Sequence, residues 1–304
     1  METDFLSIDD LSPQELAELL DLAAAVKADP GAYARGLTGR SVAMIFEKPS
    51  TRTRVSFEVA ISSAGGHPLA LSATDLQLGR GETVEDTGRV LSRYVDAIVL
   101  RTFEQERLEA LARAATVPVV NALSDFEHPC QALADLLTVR EARGALAGLT
   151  FTYLGDGNNV THSLLLAGAK AGMRVRVATP PGFEPIPQIV QRATDIAAQT
   201  GGAVDITNDW QAACTGADVL YTDVWASMGQ EAEAQERALL FPAYALDEEK
   251  VALASSDVVV LHCLPAHRGQ EITDGVIDGP RSRVWDQAEN RLHTQKALLL
   301  RLLG

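Results

Sequence analysis

The sequence predicts an α/β protein built as two doubly wound, parallel-sheet domains joined by helices, with the active site in the cleft between them. Two observations carry the fold class. Short apolar runs such as Val42–Ile45, Ile98–Leu100 and Val258–Leu261 recur with helix-length segments between them. Strands covered on both faces read as continuous apolar runs of this kind rather than as alternation. The chain is also too long, at 304 residues, for one small core and fits two domains of ordinary size. Its hydrophobic content of 46% is that of a folded globular protein.

Taken in order, the elements alternate. Ser12-Pro13-Gln14-Glu15 reads as a capping box with proline at the first helical position, opening a helix to about Lys27. Ser41–Phe46 reads as a strand, and the helix over 52–64 stops at Gly65-Gly66. Thr83 and Asp86 open a helix that runs to Tyr94. Ala97–Arg101 is a buried strand, 104–114 a helix, Pro118–Asn121 a short strand, and Pro129 starts a helix to about Arg143. The small, turn-prone Gly144–Gly148 suits a junction, or else a continuation or the end of that helix. The second half repeats the pattern. Phe151–Gly155 is a strand, 160–171 a helix, Arg174–Ala178 a strand and 186–199 a helix. Val219–Thr222 and Val258–Leu261 are two more strands, and an amphipathic helix runs from Trp285 to the C-terminus.

Charge and composition narrow the function. The net charge of −15, from 41 acidic and 26 basic residues, argues against non-specific nucleic-acid binding. An anionic substrate meets a repulsive field, so a phosphate site must be locally positive. No apolar run approaches the ~20 residues that span a bilayer, and the N-terminus lacks a basic segment followed by an apolar one. Cys130, Cys214 and Cys263 are widely separated and form no C-x-x-C pair. They suggest neither a disulfide framework nor a structural zinc site, and the cytoplasm is the expected compartment.

The locally positive site is legible at Lys48–Arg54. A strand ends there and a helix begins, so backbone N–H groups lack intrahelical partners and the dipole is positive. Ser50, Thr51 and Thr53 add hydroxyls, and Arg52 and Arg54 add guanidinium forks. That is an anion cradle without a glycine loop. A capped helix with two solvated arginines is the plain alternative, and the density of donors favours a site. In doubly wound folds ligands bind beyond the C-terminal ends of strands. The polar residues after the other strands should therefore converge: Arg101, His128–Gln131, Asp156–Asn159, Asp223–Gly229 and His262–Arg268. Gly155-Asp156-Gly157 falls short of a dinucleotide fingerprint, because the third glycine is missing and no acidic residue clearly ends the next strand.

Ser50-Thr51-Arg52-Thr53-Arg54, His128-Pro129-Cys130-Gln131, Asp223 to Gly229 and His262-Cys263-Leu264-Pro265 occur in that order. Together with Asp75–Glu82 and Asp86–Tyr94, they resemble the transcarbamylase family over nearly the whole chain. The first two motifs resemble its shared carbamoyl-phosphate half and the last two its ornithine branch. The resemblance implies transfer of a carbamoyl group from carbamoyl phosphate to the δ-amine of L-ornithine, giving citrulline and phosphate, within arginine metabolism. It implies a carbamoyl-phosphate domain over 1–143 plus the C-terminal helix 286–304, and an ornithine domain over 144–285.

By that resemblance Ser50, Thr51, Arg52 and Thr53 hold the phosphate, closed by Arg291, and Arg101 bridges phosphate and carbonyl oxygen. His128 donates to the carbonyl oxygen, Gln131 accepts from the carbamoyl NH2, and the carbonyls of Cys263 and Leu264 complete that amine's partners. Gln77 reaches in from a neighbouring subunit of a homotrimer. Asn159, Asp223, Ser227 and Met228 grip the α-amino and α-carboxylate groups of ornithine. No metal or organic cofactor is needed. A nucleophilic Cys263 is disfavoured, since direct attack by the amine needs no covalent intermediate and the thiol can orient that amine. The alternatives are a transcarbamylase acting on putrescine or aspartate, and a non-catalytic small-anion-binding protein on the same fold.

Overall fold

The computed structural model describes residues 4–72, 81–226 and 234–304. The chain divides into two units, Met1–Leu137 with Glu289–Gly304, and Thr138–Ala288.

In the first unit, α1 (Pro13–Ala28) opens with the capping box the sequence predicts. Ser12 Oγ accepts from the Glu15 N–H at 3.2 Å while Glu15 Oε2 accepts from the Ser12 N–H at 2.9 Å. Its buried Leu16, Leu19, Leu20, Ala23 and Val26 form one helical stripe. Then follow β1 (Ser41–Phe46), α2 (Thr51–Ser62), β2 (His67–Ser72), α3 (Val84–Leu91), β3 (Ala97–Arg101), α4 (Gln105–Ala114), β4 (Val119–Leu123) and the start of α5 (Pro129–Arg143). The sheet is parallel throughout, in the order β2-β1-β3-β4. Val42–Ile45 and Ala97–Leu100 are fully buried, which explains their unbroken apolar spelling. Strand order reverses between β1 and β3, where Phe46 pairs with Arg101. The turn into α2 and the Arg101 side of β3 therefore lie together at the switch point, where such sheets bind ligands.

The second unit contains β5 (Thr150–Leu154), α6 (Asn159–Lys170), β6 (Arg174–Ala178), α7 (Pro187–Thr200), β7 (Ala203–Thr207), α8 (Trp210–Cys214), β8 (Val219–Thr222), α9 (Ala234–Leu240), α10 (Glu248–Leu253), β9 (Val259–His262), α11 (Asp274–Ile277) and the first turn of α12 (Val284–Leu303). The parallel order β7-β6-β5-β8-β9 reverses between β5 and β8. Every residue of α6 is buried. It packs so close to β6 that a Cβ on Gly168 would stand 2.4 Å from Val175 Cγ2. Thr222 pairs with His262, so Asp223 and Cys263 leave adjacent strands side by side.

Two strands, β2 and β7, were not expected. Both are edge strands and only half-buried, and β2 carries Pro68, which an edge tolerates. The helix expected to reach Tyr94 ends at Leu91 in a tight turn closed by the Tyr94 N–H on the Leu91 carbonyl at 2.8 Å. From Glu289 onward α12 belongs to the first unit. There Lys27 Nζ donates to Asn290 Oδ1 at 2.7 Å and Lys296 Nζ to the Ser63 carbonyl at 3.2 Å. Among the described residues no helix is long and apolar enough to cross a membrane.

Candidate active site

The anion cradle forms at the start of α2. Ser50 is the N-cap, in extended backbone, and its Oγ accepts from the Thr53 N–H at 3.3 Å. The first turn carries no acidic residue, so its positive end is left for a ligand rather than for a side-chain carboxylate. Arg291 of α12 donates from Nη2 to Thr53 Oγ1 at 2.6 Å, with both residues buried. Arg101 and His128 are buried in the same unit. His128 titrates well below the ordinary imidazole value, first because burial disfavours the imidazolium and then because Arg291 and Arg101 repel a further positive charge. The imidazole is therefore a neutral group set beside two guanidinium cations.

Gln131, in the first turn of α5, donates from Nε2 to Asp135 Oδ1 at 2.8 Å. That turns Oε1 the other way, buried and with no hydrogen-bond partner among the described residues. Arg52 is half-buried. Arg54 is exposed and pairs with Glu58 at 3.0 Å, so the plain account of a solvated arginine holds for it. Lys48 is buried against the Phe103 ring, 4.2 Å from its centroid, and pairs with Asp125, which commits it outside the cradle. Gln77 lies outside the described residues.

The second cluster surrounds Asp223. Its Oδ1 accepts from Cys263 Sγ at 2.8 Å and from the Val224 N–H at 2.7 Å, and its Oδ2 from Asn158 Nδ2 at 3.1 Å. Asn158 also caps α6 through Oδ1, taking the Val160 and Thr161 N–H groups. Asn159 is buried beside it and accepts from the Val160 N–H at 3.0 Å. Asn158 falls in the Asp156–Asn159 run expected at the site, but no role was assigned to it. Its identity as an α6 cap was readable, but its reach across to Asp223 follows only from the pairing of β5 with β8. Ser227 and Met228 lie outside the described residues.

The His262 ring is committed at both nitrogens. Nδ1 accepts from the Leu264 N–H at 2.8 Å, which leaves Nε2 as the donor to Glu271 Oε1 at 3.1 Å. Glu271 is buried and also takes the His267 N–H at 2.5 Å. His262 is thus a backbone anchor for Leu264, whose φ of 56° is left-handed. It is not placed as a base for Cys263, whose thiol donates to Asp223 instead. Asp223, His262 and Cys263 offer ligand atoms within 4.8 Å of one another, but the imidazole lone pair is already occupied by the Leu264 N–H. Arg268, at the end of the same run, is tied to Asp274 and Asp278 at the surface.

Residues 3–141 match the family described as aspartate/ornithine carbamoyltransferase, carbamoyl-P binding domain, and residues 147–302 match its Asp/Orn binding domain. The chain is 64% identical over 302 residues to an ornithine carbamoyltransferase of Parafrankia sp. (strain EAN1pec), covering 98% of this chain and 95% of the relative. It is 62% identical over 300 residues to one from Acidothermus cellulolyticus, covering 98% and 96%. Among solved structures, an ornithine carbamoyltransferase from Pyrococcus furiosus superposes with a TM-score of 0.96 at 53% identity, over 99% of this chain and 97% of that one.

Proposed function

Because the chain belongs to the aspartate/ornithine carbamoyltransferase family, we propose that it transfers the carbamoyl group of carbamoyl phosphate to the δ-amine of L-ornithine, releasing citrulline and phosphate. The observation that carries the choice of acceptor is Asp223, a buried carboxylate held by Asn158 and Cys263. A cationic α-ammonium pairs with it, whereas the side-chain carboxylate of an aspartate acceptor finds no such complement there.

Ser50, Thr51, Arg52 and Thr53 hold the phosphate at the positive end of α2, with Arg291 alongside. Arg101 spans phosphate and carbonyl oxygen. Neutral His128 donates to that oxygen, and the buried Oε1 of Gln131, left over from the bond to Asp135, accepts from the carbamoyl NH2. Asn159 and Asp223, with Ser227 and Met228, hold the amino-acid end of ornithine, and Cys263 orients the acceptor. The neutral δ-amine attacks the carbamoyl carbon and the carbonyl oxygen takes the negative charge; the carbonyl re-forms as the C–O bond to phosphate breaks, and the proton the new C–N bond sheds leaves with the phosphate. Preorganised donors stabilise that oxyanion and the departing phosphate, and holding both substrates together supplies much of the remainder.

The chain acts as a homotrimer in which Gln77 completes a neighbouring subunit's site. Support comes from Val55 and Val59, one turn apart on α2, and from Val90 and Tyr94, at the end of α3 and just beyond it, apolar side chains that the single chain leaves exposed. A citrulline-formation assay with ornithine, putrescine and aspartate tests the assignment. Citrulline from ornithine is expected. Turnover only with another acceptor, or carbamoyl-phosphate binding with no turnover, would replace it.

A further inference from the structure

Arg237 lies on α9, outside every motif that singled out the site, and is buried. Its Nη1 donates to Asp156 Oδ2 at 2.6 Å and to the Trp225 carbonyl at 2.7 Å. The guanidinium lies over Phe183 and Phe241, with Cζ 4.9 and 5.6 Å from the ring centroids. Asp156 follows β5 and Trp225 follows β8, the two strands flanking the switch point of their sheet. Asn158, just after Asp156, bonds Asp223, just before Trp225. One cation and one amide thus tie the same two loops at neighbouring points. The β5 loop is pinned from another side at Gly157. Its N–H donates to the Phe183 carbonyl at 2.8 Å, and a Cβ there would meet Pro185 N at 2.3 Å. Stability is a poor account of the buried pair, because desolvating two charges offsets most of their attraction. What the geometry does is fix the spacing of two loops.

We propose that Arg237 is a positioning residue for the acceptor. By joining the Asp156 carboxylate to the Trp225 carbonyl it sets the distance from Asn158-Asn159 to Asp223, and so the affinity for the cationic amino acid, without touching it. The proposal rests on the assignment of Asn159 and Asp223 to acceptor binding. The test compares Arg237→Gln, Arg237→Lys and Asp156→Asn with wild type for KM and kcat toward both substrates. The ornithine KM rises about 10- to 100-fold in Arg237→Gln, the span set by losing a hydrogen bond to a charged group. The carbamoyl-phosphate KM stays within about twofold, because the phosphate cradle is built from residues of the other unit. Lysine keeps the charge but not the fork or the stacking, so Arg237→Lys falls between wild type and glutamine. An unchanged ornithine KM, or an equal rise for both substrates, overturns the proposal. If the glutamine variant does not fold, the lysine and Asp156→Asn variants read the same split. A wild-type chain that makes no citrulline overturns the assigned reaction instead. Calorimetric ornithine binding to wild type and variants then still decides whether Arg237 positions the loops.

Discussion

Arg291 of α12 donates a hydrogen bond to the hydroxyl of Thr53 in the first turn of α2, 2.6 Å away and 238 positions distant in sequence. The C-terminal helix thereby brings a second buried guanidinium to the cradle that Ser50–Arg54 opens. Burial keeps His128 neutral, and Arg291 with Arg101 reinforces this by repelling a further positive charge. Replacing Arg291 with alanine should lower kcat/KM for carbamoyl phosphate on the order of 100-fold, the usual cost of one preorganised donor to developing charge. Steady-state kinetics at saturating ornithine would check this. Wild-type values would remove Arg291 from the phosphate site.

Arg52→Ala should have a similar effect by a different route. Arg52 sits half-buried at the helix start and, unlike Arg54, has no i,i+4 carboxylate partner in α2. A loss on the order of 100-fold in turnover is expected. Binding of inorganic phosphate by calorimetry should weaken in parallel, since a product phosphate uses the same donors. Undiminished phosphate affinity would place the anion elsewhere.

These two arginines show what the sequence discloses and what it does not. Arg52 belongs to a local pattern, a strand end followed by a hydroxyl-rich helix start, and local patterns are readable. Arg291 sits in a long amphipathic helix with nothing nearby to mark it, so only the resemblance to transcarbamylases suggested it. Its contact is long-range and depends on how α12 packs on the first unit. Strands β1, β3, β8 and β9 were legible because burial writes a continuous apolar run, and this holds even for β9, which lies at a sheet edge but is buried throughout. Edge strands β2 and β7 were not, because half-buried strands of mixed composition resemble loops. Glu271 was not singled out at all: its role depends on His262, and a carboxylate in a polar stretch carries no signal of its own.

His128 makes stability pH-dependent in a definite direction. Its folded value lies well below the imidazole norm because it is buried between two cations. Below about pH 6.5 the unfolded chain therefore takes up a proton that the folded chain refuses. Stability is full above that value and falls as pH drops toward the depressed folded value, by at most about 1.4 kcal/mol per pH unit from this group. Denaturation of wild type and His128→Asn between about pH 7 and 5 isolates the contribution. The wild type should lose stability relative to the variant on acidification. Parallel curves would show that His128 is not buried as a neutral ring.

The same depression removes His128 from the pH–rate profile near neutrality and leaves the nucleophile to shape it. A lysine-like δ-amine has a pKa of about 10.4 and is mostly protonated at neutral pH. At subsaturating ornithine the rate should climb from about pH 6 to 9, approaching tenfold per unit. A flat profile over that range would count against attack by free neutral amine.

Acceptor choice turns on Asp223. Putrescine and N-acetylornithine present the same amine nucleophile as ornithine and differ at the other end. Putrescine has no carboxylate, so the donors meant for that group are left unpaired. N-acetylornithine has no α-ammonium, so the buried Asp223 carboxylate meets a neutral amide and loses its cation. Sites built around a polar group reject analogues lacking it by up to roughly 10,000-fold. Ornithine should therefore be preferred over both by at least about 100-fold in kcat/KM. Asp223→Asn removes the charge but leaves an oxygen to accept from Cys263 Sγ, which now sits 2.8 Å from Oδ1. The variant should lose most of its advantage for ornithine over N-acetylornithine, chiefly through slower turnover of ornithine. Its carbamoyl-phosphate affinity should stay near wild type, because the cradle of Ser50–Arg54, Arg101 and Arg291 is assembled from the other unit. Comparable kcat/KM for ornithine and N-acetylornithine in the wild type, or a variant whose selectivity is unchanged, would show that Asp223 does not read the α-ammonium.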